Sequence, residues 1–165
     1  MKLQQKTQKV ILSCMGFLVL LSYVFLSKCS KEYLWADIPE QLRYVFLCFM
    51  PLAACGLIYV AWSWTETAPT GWICNHYLWI MILFCIFASC WSLGMIINCR
   101  FLVSASLFVC AILSIVLLEG ACHSRDFRVI IALVFVTITT VIFDCVVWQT
   151  FYFAKASPRI AQTHG

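Results

Sequence analysis

The chain has 165 residues, 64% of them hydrophobic and only 11% charged, with a formal net charge of +4. A soluble domain carries about 45–50% apolar and about 25% charged residues, so this balance excludes an ordinary soluble fold and predicts an integral membrane protein. The basic residues form no run that would suit a nucleic acid, and the eleven cysteines include no C-x-x-C pair, which argues against a dithiol oxidoreductase.

Met1–Lys9 carries three lysines and no acid, and the 18 residues Val10–Ser27 that follow are uncharged. As a helix that run measures ~27 Å, about one hydrocarbon core, and it reads as span one. A cleaved signal peptide fits less well, because its apolar region is about 7–15 residues long and Ser27-Lys28-Cys29 is a poor small-residue cleavage site. Leu26-Ser27-Lys28-Cys29 resembles a lipoprotein box, but Lys28 stands where a small residue is needed.

The interfacial loop, residues 28–43, is the most polar part of the chain. Pro39 suits the first turn of a helix, and Asp37 and Glu40 have the spacing of a capping box, so a helix is predicted to begin near Pro39 and run into span two, Tyr44–Trp64. Tyr33 and Trp35 read as interface anchors. Pro51 inside span two predicts a kink near Met50.

Glu66 and Arg100 are separated by 33 uncharged residues, more than one crossing of about 20 residues needs. Pro69 and Gly71 mark a loop, and Tyr77–Ile97 is span three. Trp62, Trp64, Trp72, Tyr77 and Trp79 gather around that loop as an aromatic belt. Asn98-Cys99-Arg100 then turns the chain into span four, Phe101–Leu118. After the mixed-charge loop Glu119–Arg128 comes span five, residues 129–153.

Five spans place the termini on opposite sides. The first side carries Lys2, Lys6, Lys9, Arg125 and Arg128, and the second carries Lys28, Lys31, Arg43, Arg100, Lys155 and Arg159. The two sets are balanced, so the positive-inside rule sets no orientation. Two stripes of small residues at helical spacing are expected contact surfaces between spans three and four: Cys85, Ala88, Ser89 and Ser92 on one, Ser106, Cys110 and Ser114 on the other.

Asp144 is the only formally charged residue between Arg128 and Lys155. A carboxylate deep in a membrane helix costs at least ~2.5 kcal/mol on insertion scales, so it is expected to face protein or water and to have a partner. Thr137 and Thr140 share its face, with Trp148 one turn later. Counting ~22 Å from Val129 puts Asp144 toward the second side, where Arg100 is the predicted ion partner and Arg43 the next in line. Such acids serve as proton relays and ion sites, or as structural salt bridges.

Cys74, His76, Cys122 and His123 fall on the first side. Two cysteines and two histidines match a zinc inventory, and two histidines a haem, but the spacings form no recognised motif, so no metal or cofactor is assigned. Cys74 and Cys122 are the pair best placed for a disulfide if that side is oxidising. No P-loop, no G-x-S-x-G elbow, no nucleophile–base pair and no paired carboxylates occur, so the chain is not expected to be an enzyme.

The length, the five spans, the long first loop and the seven tryptophans resemble the TspO family of tryptophan-rich sensory proteins. Trp35 and Pro39 stand for that family's tryptophan–proline cluster, while its proline- and asparagine-containing fifth helix has no counterpart here. The resemblance implies a five-helix bundle that binds porphyrins or sterol-like lipids. The expectation from sequence is therefore a single all-α membrane domain, residues 1–165, built as a bundle of five transmembrane helices in the lipid bilayer. It would bind a hydrophobic small molecule or a membrane-protein partner, with no nucleic acid. The alternative is a small transporter or proton-coupled component using Asp144.

Overall fold

The computed structural model describes residues 2–29, 38–66, 72–124 and 126–152. Those residues are helical almost throughout, and no strand occurs among them. We number the long helices α1 (Lys2–Cys29), α2 (Glu40–Glu66), α3 (Tyr77–Ile96), α4 (Arg100–Ser124) and α5 (Phe127–Tyr152). A 3₁₀ turn, Trp72–Asn75, precedes α3. Within α5, Phe127–Thr137 is α-helical and Ile138–Trp148 is π-helical.

The helix ends follow from local chemistry. Helix α2 starts where Pro39 has no N–H to lose, and the Arg43 amide donates to the Pro39 carbonyl at 3.1 Å. The Arg43 side chain also turns back, its Nε donating to the Ile38 carbonyl at 2.7 Å. Between α3 and α4, Asn98 takes a left-handed φ of 54°, which asparagine tolerates better than most residues, and the Cys99 amide closes on the Gly94 carbonyl at 2.8 Å. Helix α5 is capped by Asp126, whose carboxylate accepts from the amides of Arg128 (3.1 Å) and Val129 (3.4 Å).

Two boundaries differ from the sequence reading. Helix α4 runs to Ser124 rather than stopping at Leu118, and α5 begins at Phe127, so the expected loop Glu119–Arg128 is nearly all helix. The reason is packing: Leu117, Gly120 and Ala121 are buried, with Gly120 pressed against Ile73 of the 3₁₀ turn. The predicted anchors Tyr33 and Trp35, the capping residue Asp37, the loop residues Pro69 and Gly71, and the tail cations Lys155 and Arg159 lie outside the described residues.

Among the described residues four helices are long and apolar enough to cross a membrane, α2 to α5. Of the five spans expected from the sequence four are matched in this way, and α1 is the exception. Its first nine residues are mostly polar, and part of the apolar run on which span one rested, residues 23, 24, 26 and 27, has side chains outside the described set.

The five helices close into a ring in the order α1, α3, α4, α5, α2 and back to α1. Close approach is bought by glycine: a Cβ on Gly56 of α2 would lie 2.8 Å from the Ala132 carbonyl oxygen of α5, and one on Gly94 would lie 3.0 Å from the Val103 amide of α4. Helix α1 runs parallel to α3, because the Tyr77 hydroxyl donates to Gln8 at 3.1 Å and, about two-thirds of a helix later, the Ser22 hydroxyl donates to Ser92 at 3.2 Å. Side chains such as Phe101, Phe127 and Phe108 stand exposed on the outside of the ring, as lipid-facing positions do.

The core is in two main parts. One, around Val60, Trp64, Ile73, Tyr77, Leu117 and Leu133, fills the first-side end. The other, around Phe46, Trp91, Met95, Val103, Trp148 and Tyr152, fills the second-side end. Between them only a small cluster, Phe84, Cys110 and Val136, is packed, because the middle of the ring is hollow.

Candidate functional site

The hollow is a cavity of about 670 Å³ lined by residues of all five helices. Ligand pockets run to about 300–1,000 Å³, so it is large enough to enclose a drug-sized molecule. Its size follows from small side chains at facing positions: Gly16 of α1, Ala53 and Ala54 of α2, Ala88 of α3 and Cys110 of α4. A Cβ added to Gly16 would meet nothing within 4 Å. Pro51 also lines it, and having no N–H it leaves the Leu47 carbonyl without the usual helical donor.

Along α2 the wall extends from Met50 to Trp62, which is ~18 Å of helix. The two ends are chemically different. At the first-side end the Lys9 ammonium sits 3.8 Å above the centre of the Trp62 ring and 3.0 Å from the Glu66 carboxylate. At the second-side end lies Asp144, level with Met50, Trp91 and Leu107. Between the ends the wall is almost wholly apolar. Phe17 and Ile58 line the cavity and are nevertheless 60% and 64% exposed, so the cavity opens sideways between α1 and α2.

Asp144 belongs to the π-helical stretch, and the sequence explains why the helix widens there. Thr139 and Thr140 hydroxyls donate to the carbonyls four residues back, Phe135 at 2.8 Å and Val136 at 3.0 Å, and so compete with the amide ladder. The surrounding run, Ile138 to Val147, is also dominated by β-branched residues, which crowd an α-helical turn. Wider i→i+5 turns of this kind recur at functional sites.

The site residues expected from sequence separate into groups. Thr140 does line the cavity with Asp144, but its hydroxyl is 2.8 Å from Ser114 Oγ, and Thr137 likewise donates to the Ser114 carbonyl at 3.3 Å. Both threonines therefore hold α5 to α4 rather than serving the carboxylate. Trp148 stacks on Tyr152 (centroids 4.6 Å apart) and meets the Trp91 edge at 5.7 Å, in the second-side core.

The predicted ion pair between Arg100 and Asp144 is not formed. Arg100 is exposed as the first residue of α4, ~10 Å along the helix axis from Leu107. The core of Met95, Val103, Trp148 and Tyr152 fills the space between that turn and the level of Asp144. Arg43, the next candidate, spends its Nε on the Ile38 carbonyl. The ion pair between described residues is Lys9–Glu66, and Asp144 makes neither a hydrogen bond nor an ion pair among them.

The small-residue stripes are contact surfaces, with partners other than those expected. On α3, Cys85 and Ala88 face the cavity, Ser89 bonds its own helix at Cys85, and Ser92 meets Ser22 of α1. On α4, Cys110 does reach α3, its thiol donating to the Phe84 carbonyl at 3.7 Å, while Ser106 bonds Val103 and Ser114 meets α5. The low-priority metal ligands stay dispersed: Cys74 lies in the 3₁₀ turn, His76 and Cys122 are exposed, and His123 Nδ1 sits 2.9 Å from the Glu119 carbonyl of its own helix. Among the described residues no three His, Cys, Asp or Glu side chains gather as metal ligands, and Cys74 and Cys122 are free thiols.

No protein-family model, curated protein or solved structure matches this chain. The likeness to the TspO family is accordingly one of length, helix number and tryptophan content.

Sequence reasoning missed Lys9, Gly16, Ala53, Ala54 and Thr139 as cavity residues. A signal was present in span two, where Pro51, Ala53, Ala54 and Gly56 leave a stretch without large side chains.

Proposed function

We propose that the chain is a five-span membrane protein that binds a hydrophobic, membrane-derived ligand in its central cavity. The observation that carries this reading is the 670 Å³ cavity walled by all five helices and opening sideways between α1 and α2. An apolar ligand dissolved in the bilayer would reach it without passing through water. The fifth span is α1, which keeps pace with α3 from the level of Tyr77 to that of Ser92 and so crosses whatever α3 crosses.

Native mass spectrometry of the detergent-purified protein tests the reading. The wild type should carry a lipophilic adduct, and Gly16→Leu, which fills open space, should carry less. A bare wild-type mass, or equal loading of the two proteins, would remove the proposal.

A second reading, a small transporter or proton-coupled component, draws support from Asp144, a carboxylate without a partner among the described residues, on a widened helix at the cavity wall. In proteoliposomes it requires Asp144→Asn to abolish flux while the folded amount stays the same. Loss of folding instead would make Asp144 structural.

A further inference from the structure

We infer that the cavity's ligand is a lipophilic amine, with a protonated nitrogen at Asp144 and an apolar body extending toward Trp62; this rests on the ligand-binding reading above. Among the described residues two charged side chains line the cavity, Lys9 and Asp144. The Lys9 charge is matched by Glu66 at 3.0 Å and lies over the Trp62 ring. Asp144 is matched by nothing among the described residues.

The threonine and arginine side chains that could have served Asp144 are turned elsewhere. The Thr139 hydroxyl is given to the Phe135 carbonyl, and that of Thr140 to Val136 and Ser114. Arg43 is turned to Ile38, and Arg100 is exposed beyond the second-side core. A carboxylate in a dry, apolar wall is costly unless a cation or a hydrogen-bond donor meets it. Among the described residues no cation or hydrogen-bond donor meets it, and a ligand that carries one would complete the site.

Charge also selects against the other common membrane amphiphiles. A fatty acid would bring a second negative charge to Asp144, and a neutral sterol would offer one hydroxyl hydrogen bond but no charge to balance the carboxylate. The orientation is fixed by the two ends, because a cation placed at the first-side end would meet the Lys9 ammonium. The ~18 Å of apolar wall between Asp144 and Trp62 then takes a single alkyl chain or a flat ring system. Exposed Phe17 and Ile58 mark the gap through which such a body passes from the bilayer.

The full-length protein in phosphatidylcholine nanodiscs provides the test, with sphingosine, its neutral N-acetyl derivative and palmitic acid as probes. Binding is read from tryptophan fluorescence and from the thermal unfolding midpoint. Sphingosine should raise the midpoint and bind at least about tenfold more tightly than N-acetylsphingosine, with palmitic acid weakest. Asp144→Asn should erase the preference between sphingosine and its N-acetyl form, and Asp144→Glu should keep it. If the wild type binds both sphingoid probes equally, or if Asp144→Asn retains the preference, the amine assignment falls. In that event the ligand-binding reading survives as long as Gly16→Leu weakens both probes. If no probe binds the wild type and Gly16→Leu changes nothing, both proposals fall together. The wild-type comparison decides the matter even where Asp144→Asn does not fold.

Discussion

Thr140 ties α5 to α4 through one hydroxyl, 2.8 Å from Ser114 Oγ. Interhelical hydrogen bonds of this type average about 0.6 kcal/mol and reach about 1.7 kcal/mol in membrane proteins. Thr140→Val and Ser114→Ala should each destabilise the bundle within that range, and the double variant should lose little more than either alone. SDS titration of the protein in mixed micelles measures the cycle, and fully additive losses would remove the bond from the account. For Arg100 and Asp144 the expectation is the opposite: with no pair between them, the losses of Arg100→Ala and Asp144→Ala should add to within about 0.3–0.5 kcal/mol. Asp144 was legible in the sequence as the lone charge of its span. Its surroundings were not, since they depend on which helices close the ring and on turns that widen after Thr137.

Among the helices, glycine positions separate contact from cavity. Gly56→Ala would drive a methyl to 2.8 Å from the Ala132 carbonyl of α5, backbone against backbone, and should cost about 1–3 kcal/mol. Gly16→Ala faces open space and should be neutral, or stabilising by up to about 1 kcal/mol through helix propensity. Unfolding midpoints in detergent compare the two, and an equal loss at both positions would mean that the cavity is not where the structure puts it. The stripes on α3 and α4 were readable as contact faces because i, i+4 spacing fixes a helix face. Spacing does not say which neighbour covers that face, and so Ser92 was assigned to α4 when it meets α1, and Ser114 to α3 when it meets α5. The same limit hid the cavity, which exists only where small residues of several helices coincide.

At the scale of the molecule, composition alone announced the helical, membrane-suited class, and four helices of spanning length and apolarity bear it out. The remaining question is the course of α1. Reporter tags on the two termini should report opposite compartments if α1 crosses with α3, and the same compartment if only α2 to α5 cross. A local check is available in a background stripped of native cysteines. Ser22→Cys with Ser92→Cys should crosslink readily, since the two hydroxyls are 3.2 Å apart, and failure to link would displace α1 from α3.

The ring order sets a timetable for assembly. Helix α1 leans chiefly on α3 and α2 chiefly on α5, so neither of the first two helices is completed by its neighbour in sequence. The chain continues for 86 residues between Glu66, where α2 ends, and Tyr152, the last described residue of α5. At about 5–20 residues per second of synthesis, α2 waits roughly 4–17 s with the Gly56 face bare of its permanent partner. Asp144 is inserted near the end of that interval, into walls that the other four helices have already supplied. A nascent chain cut short before α5 therefore displays an unclosed groove along α2, a feature by which cellular quality control can tell an unfinished copy from a complete one.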